Sequence, residues 1–468
     1  MSHGSAAAGT PASSLYRRIW RWHFFAGLLC LPFIFLLALT GAVYLFNEQI
    51  DDLVYADLLL RPAASAQAAP LPASTLLASA AAVEGQPHAL HWPRDARHTV
   101  QVDLRQPDGS LRQFFLDPAS GRVLGSMMES GRVMGLVKRI HSLSVAGEAG
   151  NVLIEIVAGW VIVLVVTGAW LWWPRGSKQG LVRIRPGAIG RVWWRDLHAA
   201  TGAFGALVIL FLALTGMPWS IVWGKAVSGW VNAHGLGAPG GMWSAYPHSN
   251  PPMAALGEVP WSAEQRPMPA SAADEHAGHG EAHAGHDTAA VAGGIGVDRA
   301  VALFAHAGLD SRYRLVLPQG AQGVYSAVRL RSAQEGQRVV HLDQYSGRVL
   351  QDLGAGDVGA VARVTDWGIS VHQGIEYGWP NQLLMLFGCL ALMLSCVSGV
   401  VIWWKRRPAG QLAAPRRKED DRLALGVLAI AVGLGLVFPL LGASMVAAAV
   451  SDFVWGRIRQ TGAAPQAS

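Results

Sequence analysis

The chain has 468 residues, of which 51% are hydrophobic and only 15% are charged. This charge content is too low for an ordinary soluble protein, and runs of about 20 apolar residues are typical of transmembrane helices. The net charge of +6 does not indicate nucleic-acid binding, because the Lys and Arg residues cluster beside the apolar runs, where they set membrane topology.

The N-terminal part combines a low-complexity segment with a first apolar run. Residues 1–15 are rich in Ala, Ser and Gly, which predicts disorder. Residues 16–46 are predicted to form transmembrane helix 1. This run is too long for the apolar region of a signal peptide, and no small-residue cleavage site follows promptly, so we interpret it as an uncleaved helix. Its flanking basic residues favour a cytoplasmic N-terminus: Arg17, Arg18 and Arg21.

The first long region between apolar runs, residues 47–148, is predicted to be a small extracytoplasmic α+β domain. A helix is expected at 76–83, and strands at 98–104 and 111–116 flank the turn signal Pro107-Asp108-Gly109. An amphipathic segment at 134–145 follows and is expected to lie at the membrane surface.

The remaining segments follow from the same signals. Short loops rich in Lys and Arg are expected to be cytoplasmic, and Pro439 is expected to kink the last helix. With five spans, the C-terminus would be outside. The predicted segments are helix 2 at 149–174, a basic loop at 175–196, helix 3 at 197–223, a second extracytoplasmic domain at 224–378, helix 4 at 379–404, a basic loop at 405–422, helix 5 at 423–448 and a C-terminal tail at 449–468. In the second domain a helix is expected near 297–308, with strands at 313–317, 324–331 and 337–342.

One pattern occurs twice in the chain. His23 is followed by Gly at +4 and by Thr-Gly at +17 and +18, and His198 is followed by the same residues at the same offsets. His141 is followed by Thr-Gly at +26 and +27, and His372 by Ser-Gly at those offsets, with Trp-Trp next in both. The sequence therefore predicts a duplicated two-helix repeat that forms a four-helix core with a pseudo-two-fold axis along the membrane normal. The fifth helix has no repeat partner.

The four histidines are the shared polar feature of the repeat. Topology places His23 and His198 near the cytoplasmic face and His141 and His372 near the opposite face. Equivalent positions face each other across a two-fold axis if they point inward, and two facing imidazoles can bind one haem iron through both axial positions. One haem near each face would give an electron path across the membrane.

Neighbouring residues suit such a cofactor. Gly27 and Gly202 lie on the same helix faces as His23 and His198, and the missing side chains leave room for a flat macrocycle. Basic residues nearby could pair with haem propionates. These are Arg17, Arg18, Arg21 and Arg195 at one face, and Lys138 and Arg139 at the other.

Simpler explanations exist for each feature. A single histidine at a membrane interface usually only extends its polar tip to water, although four at equivalent positions favour a shared function. Close helix packing explains the Thr-Gly pairs, and interfacial anchoring explains the tryptophans. The three cysteines are interpreted as packing residues: Cys30, Cys389 and Cys396.

A low-complexity insert at 276–286 carries four histidines at spacings of 3, 4 and 3 residues: His276, His279, His283 and His286. Such a tract binds transition metals loosely, and a solvated linker is the alternative interpretation. His88, His91 and His98 are interpreted as ordinary surface residues.

Several motifs together resemble the PepSY-associated transmembrane family, also called iron-regulated membrane proteins. They are Trp20-Arg-Trp-His23 with Leu39-Thr-Gly41, Leu116-Asp-Pro-Ala-Ser-Gly-Arg-Val-Leu124, His141-Ser-Leu, Trp172-Trp-Pro-Arg175, Asp196-Leu-His198 and Trp403-Trp-Lys-Arg-Arg407. The resemblance covers about residues 16–407. It implies PepSY-type extracytoplasmic domains and a location in a bacterial inner membrane.

The chain is similar to ferrisiderophore reductases of this family, which bind two b-type haems. The resemblance implies that His23, His198, His141 and His372 are the haem ligands and that the substrate is a ferric siderophore or another oxidised metal chelate. Helix 5 and the His-rich insert depart from the family pattern. No Gly-rich dinucleotide fingerprint is found, so the electron donor is expected to be a quinol or a separate cytoplasmic reductase. The alternative is a haem-free membrane protein that binds a metal or protein partner in the periplasm.

Overall fold

The computed structural model describes residues 11–65, 68–173, 184–185, 187–236, 248–264, 266–271, 294–310, 312–330, 336–407 and 425–461. The chain divides into two compact units. A helical unit comprises Met1–Leu45, Arg139–Val227 and Gln382–Ser468, and a sheet unit comprises Phe46–Lys138 and Ser228–Asn381.

The helices, in chain order, are α1 (Pro11–Tyr44), α2 (Asn47–Val54), α3 (Ala56–Leu59), α4 (Ala73–Ala81), α5 (Val133–His141), α6 (Gly147–Trp172), α7 (Gly190–Gly216), α8 (Trp223–Ala233), α9 (Val297–His306), α10 (Ala360–His372), α11 (Trp379–Arg406), α12 (Leu425–Val437) and α13 (Pro439–Thr461). The strands are β1 (Gln86–His91), β2 (Val100–Arg105), β3 (Leu111–Leu116), β4 (Val123–Met127), β5 (His248–Pro252), β6 (Pro267–Pro269), β7 (Arg314–Val316), β8 (Val324–Arg329), β9 (Arg338–Asp343) and β10 (Val349–Gly354).

Four helical segments among the described residues are long and apolar enough to cross a membrane: Leu15–Tyr44, Ser144–Trp172, Gly190–Trp219 and Trp379–Arg406. They correspond to the predicted helices 1 to 4. Two predicted boundaries are wrong. Residues 11–15 belong to α1 and are not disordered, and α7 begins at Gly190, inside the predicted basic loop. The low-complexity residues 1–10 and most of the two predicted basic loops lie outside the described residues.

The centre of the helical unit is packed with side chains from these four helices. Cys30 and Ile34 of α1, Val161 of α6, Ile209 of α7 and Cys396 of α11 belong to one buried cluster. All three cysteines are buried thiols, as expected for packing residues.

Small residues allow two of these helices to approach closely. A Cβ atom added at Gly205 of α7 would lie 2.9 Å from the Cβ of Ala391 of α11. Such close contact between small residues is common where helices pack in membranes.

The predicted fifth helix is two helices, α12 and α13, which meet at a sharp bend at Phe438. The bend has a local cause, because Pro439 has no backbone N–H to donate and therefore interrupts the helix. Gly435 and Gly442 touch across the bend, and a Cβ atom added at Gly442 would lie 2.7 Å from the Gly435 carbonyl oxygen.

Helix α13 packs along α6 and contacts α1 through Asp452. The Trp160 indole donates to the Ser444 hydroxyl at 3.0 Å, and further along α13 Arg21 pairs with Asp452 at 3.0 Å. A single fifth span, which would have put the C-terminus outside, is therefore not what the structure shows, because α13 runs back towards Arg21.

The sheet unit contains one antiparallel sheet of eight strands in the order β10-β9-β8-β7-β1-β2-β3-β4. Each half of the chain contributes a helix, α4 or α9, followed by a four-stranded antiparallel meander. The predicted hairpin is confirmed by the register of β2 and β3, which pairs Val100 with Leu116. Strands β5 and β6 form a separate two-stranded sheet.

The two regions were predicted as separate domains, but they share this sheet. Strand β1 pairs with β7, with Leu90 opposite Leu315. Without this pairing, both strands would present unpaired backbone groups at an edge, which a joined sheet satisfies. This pairing links residues far apart in sequence, so periodicity within either half does not reveal it.

One face of the sheet is apolar and is covered by α4 and α9. Leu76 and Phe304 of these helices are fully buried against alternating strand residues such as Val102 and Val340. Successive residues of a strand point to opposite faces, and the opposite face of β8 and β9 is buried as well, because Val328 and Val339 pack with Met253 in a second cluster.

The histidines of the first half are part of the folded structure, so the interpretation of His88, His91 and His98 as ordinary surface residues is wrong. His88 and His98 are buried. His91 Nε2 lies 2.8 Å from the Asp103 carboxylate, and His98 Nδ1 lies 2.6 Å from that of Asp95. These histidines have partners within the fold, which periodicity along the strands does not show.

Candidate functional site

The inner histidine pair consists of His23 on α1 and His198 on α7. Their imidazole centroids lie 6.4 Å apart, with an angle of 84° between the ring planes. Side chains from two helices that are far apart in sequence therefore meet inside the bundle. The repeat predicted that these two residues would face each other, and the structure shows that they do.

Each of these rings contacts a hydroxyl on a neighbouring helix through Nδ1. His23 Nδ1 lies 2.9 Å from the Thr167 hydroxyl of α6. His198 Nδ1 lies 3.0 Å from the Ser398 hydroxyl of α11, and also 3.0 Å from the Ser395 carbonyl oxygen.

His141, at the end of α5, makes the same type of contact with α1. Its Nδ1 lies 2.9 Å from the Thr40 hydroxyl. His372 is the last residue of α10 and belongs to the sheet unit, so the structure of the helical unit does not test its predicted pairing with His141.

A glycine lies beside the ring in all three contacts. A Cβ atom added at Gly168 would lie 3.3 Å from His23 Cε1, one at Gly41 would lie 3.2 Å from His141 Cε1, and one at Gly399 would lie 3.7 Å from His198 Cε1. Thr167-Gly168, Thr40-Gly41 and Ser398-Gly399 are thus the partners of these three histidines, whereas close helix packing was the simpler explanation of the Thr-Gly pairs in the sequence. Their constant offsets in the repeat were the available signal.

Of the two glycines predicted to leave room beside the rings, Gly202 is in open surroundings and Gly27 is not. Among the described residues, no atom lies within 4 Å of a Cβ atom added at Gly202, and one added at Gly27 would lie 3.8 Å from Leu164 Cδ2. The Gly27 position is thus in ordinary van der Waals contact with α6, and the use of the space at Gly202 by a flat cofactor stays a prediction.

Several basic residues expected near a cofactor already pair with protein carboxylates. Arg21 pairs with Asp452, Lys138 with Glu258, and Arg195 with Asp196 at 3.0 Å.

Two other basic residues differ in this respect. Arg18 and Arg139 have no carboxylate partner within the part of the chain that the structure describes. They are therefore the better candidates for binding an anionic group.

A carboxylate that sequence analysis did not single out lies inside α6. Glu155 is buried, and its two oxygens accept hydrogen bonds from the backbone N–H groups of Val222 and Trp223 at 2.9 and 3.1 Å. It caps the start of α8. An acidic residue in an apolar run was the signal that could have identified it.

Across the described ranges, no cluster of three or more His, Cys, Asp or Glu side chains could hold a metal ion. Two histidines that bind one metal ion are too few to form such a cluster. The His-rich insert at 276–286 lies outside the described residues.

Four apolar helices around a pair of facing histidines define an integral membrane protein with a polar site inside its bundle. The chain belongs to the family described as the PepSY-associated TM region, whose model matches residues 20–406. No curated protein matches the chain.

Proposed function

We propose that the protein is an inner-membrane di-haem b electron conduit that reduces a ferric siderophore, or another oxidised metal chelate, in the periplasm. The observation that carries this proposal is the inner histidine pair, two imidazoles that face each other inside an apolar helical bundle. A histidine inside an apolar membrane segment is energetically costly, and its presence therefore favours a functional role.

The separation of the rings suits one metal ion held between them. A bond of about 2.0–2.1 Å from a metal ion to each imidazole nitrogen, together with the short distance from each nitrogen to its ring centre, amounts to about 6 Å. The observed distance between centroids is 6.4 Å. This separation fits the group, and His23 and His198 are the residues that would hold the first haem.

The second haem is assigned to His141 and His372 on the strength of the sequence repeat. Bound haem would supply one-electron redox chemistry. The chain would supply the imidazole ligands, an apolar surrounding for each centre, and Arg18 or Arg139 near the propionates. Electrons would enter from a quinol or a cytoplasmic reductase at the face of His23.

The net reaction transfers one electron to each ferric ion, which becomes ferrous. Ferrous iron is held less tightly by hard oxygen ligands than ferric iron, so reduction would release it from its chelator for uptake. The sheet unit, which we place in the periplasm, would then carry the surface that meets the chelate.

The first test is an absorption spectrum of the detergent-purified full chain, oxidised and dithionite-reduced, with haem quantified per chain. The proposal expects the sharp reduced bands of a low-spin b-type cytochrome at about two haems per chain, and reoxidation by a ferric chelate. A colourless protein after expression with ample haem would contradict it and favour a haem-free protein that binds a periplasmic metal or protein partner.

Two substitutions test the pairing. His23→Ala and His198→Ala should each abolish the same haem and leave the other in place. Loss of both haems from a well-folded single variant, or of neither, would contradict the pairing. His234→Ala is a matched control, because His234 is an exposed residue after α8 whose ring contacts Trp230.

A further inference from the structure

The hydroxyl groups that face the histidines are already engaged as donors. Thr167 donates to the Val163 carbonyl at 2.7 Å, Thr40 to the Leu36 carbonyl at 2.6 Å, and Ser398 to the Leu394 carbonyl at 2.7 Å. In each case the acceptor is the carbonyl one turn earlier in the same helix, the usual back-bond of Ser and Thr in apolar helices.

A hydroxyl has one proton to donate and two lone pairs to accept with. Because that proton points to the helix carbonyl, the hydroxyl oxygen can only accept from the histidine. The Nδ1 atoms of His23, His141 and His198 must therefore carry the hydrogen. For His198 the Ser395 carbonyl at 3.0 Å adds a second partner that can only accept.

A neutral imidazole with hydrogen on Nδ1 has its lone pair on Nε2. The neighbouring glycine limits how the ring can turn, since Cε1 lies between the two nitrogens and sits against Gly168, Gly41 or Gly399. The Thr-Gly or Ser-Gly pair thus determines both the tautomer and the position of the imidazole ring.

We infer that Thr167, Ser398 and Thr40 are positioning residues, which hold His23, His198 and His141 with Nδ1 as donor so that Nε2 is presented as the metal ligand. The identity of the metal as a haem iron rests on the proposed function, whereas the tautomer is inferred from the hydrogen bonds alone. Groups that accept a hydrogen bond from the other nitrogen of a ligating histidine orient the ring and raise its basicity.

The pattern extends to the fourth repeat position. Thr215 of α7 is the sequence counterpart of Thr40, and it donates to the Phe211 carbonyl at 2.6 Å, as Thr40 donates to that of Leu36.

Nitrogen-15 NMR of the haem-free full chain labelled at histidine tests the tautomer directly. His23 and His198, identified by the signals lost in their Ala variants, should each show a protonated Nδ1 and an unprotonated Nε2. Thr167→Val keeps the shape of the side chain but removes the acceptor, and should convert His23 to a mixture of tautomers. Thr167→Ser should restore the single form.

Controls separate this effect from a general loss of structure. Ser451→Ala removes a hydroxyl that is back-bonded to the Ala447 carbonyl at 2.8 Å on an exposed helix face, and it should leave every histidine signal unchanged. If Thr167→Val does not fold, Thr40→Val tests the same inference at His141, whose signal is identified by its loss in His141→Ala.

With haem bound, Thr167→Val should weaken haem affinity by about 10–100-fold, the usual effect of losing such a partner, and shift the midpoint potential of one haem, with rescue by Thr167→Ser. A histidine protonated at Nε2 in the unmodified protein, or Thr→Val variants with unchanged tautomers and haem affinity, would overturn the inference. A protein that binds no haem but shows the expected tautomers would support the inference and contradict only the proposed function.

Discussion

Arg21 and Asp452 form an ion pair of 3.0 Å between Nη2 and Oδ1, although 431 positions separate them in sequence. Arg21 lies two residues before His23, in the N-terminal part of α1, and Asp452 lies in the second half of α13. The pair therefore places the end of α13 at the same end of the bundle as the start of α1.

From this relationship we predict that both termini lie on the same side of the membrane. Epitope tags at the N- and C-termini should be cleaved together by protease in vesicles of one orientation and be protected together in the other. A tag in the turn around Gly109 of the sheet unit should show the opposite protection and serves as the control. Termini protected on opposite sides would show that α12 and α13 cross the membrane as one span.

Glu155 should be needed for the stability of the helical unit. Glu155→Ala leaves the N–H groups of Val222 and Trp223 without their acceptor, and an unsatisfied buried donor costs about 1–3 kcal/mol. Glu155→Gln keeps one acceptor oxygen and should have a stability between those of the Ala variant and the unmodified protein. Thermal unfolding of the full chain in detergent measures the difference, and equal stability of the Ala variant and the unmodified protein would contradict the capping role.

Asp103 should be the most costly carboxylate to remove from the sheet unit. It is buried, with His91 at 2.8 Å and Arg314 at 3.3 Å. Burial alone would raise the pKa of Asp103, but these two partners hold that pKa below its usual value. Removing one partner of a buried ion pair costs about 3–5 kcal/mol, so Asp103→Ala should lose that much stability in denaturant unfolding.

Asp108→Ala is the matched control for this substitution. Asp108 lies in the exposed turn between β2 and β3, where it accepts a hydrogen bond from the Ser110 N–H at 2.9 Å. Exposed positions of this kind usually change stability by about 0.5 kcal/mol or less. A loss at Asp108 as large as that at Asp103 would show that burial of the ion pair is not the cause.

Glu264 should make the stability of the protein fall as pH rises from about 4.5 to about 7. Burial, followed by the negative charge of Asp366, raises the pKa of Glu264 from 4.5 to about 7. In this window the folded state holds a proton that the unfolded chain has lost, so raising the pH favours unfolding.

Glu264→Gln tests this pH dependence because its side chain cannot ionise. The melting temperature of this variant should exceed that of the unmodified protein by more at pH 7.5 than at pH 5. An identical difference at the two pH values would show that the carboxyl group titrates normally in the folded protein.

Much of the local structure could be predicted from the chain. The apolar runs predicted four helices long enough to cross a membrane, and the alternating residues around Asp108-Gly109 predicted the β2–β3 hairpin. Both depend on side chains close together in sequence, whose periods of 3.6 and 2 reflect helix and strand geometry directly. The duplicated offsets also predicted that His23 and His198 would face each other.

Other features depend on contacts between distant segments. Strands β1 and β7 are the edge strands of the two four-stranded meanders, and their pairing joins the two halves into one sheet. The bend at Phe438 returns α13 to Arg21 because Gly435 and Gly442 allow the backbones to touch. Sequence periodicity describes one element at a time, and it carries no information on which elements meet.

The histidine sites combine both kinds of information. Spacing along the chain was enough to identify the four recurring histidines and their offsets from Thr-Gly or Ser-Gly, because a duplication preserves spacing. It did not predict that the Thr167 hydroxyl meets His23 or that the Ser398 hydroxyl meets His198, since those contacts arise when α1, α6, α7 and α11 pack together. The direction of each hydrogen bond depends on where a helix places its carbonyls beside the hydroxyl, and helix packing alone brings that hydroxyl to the ring.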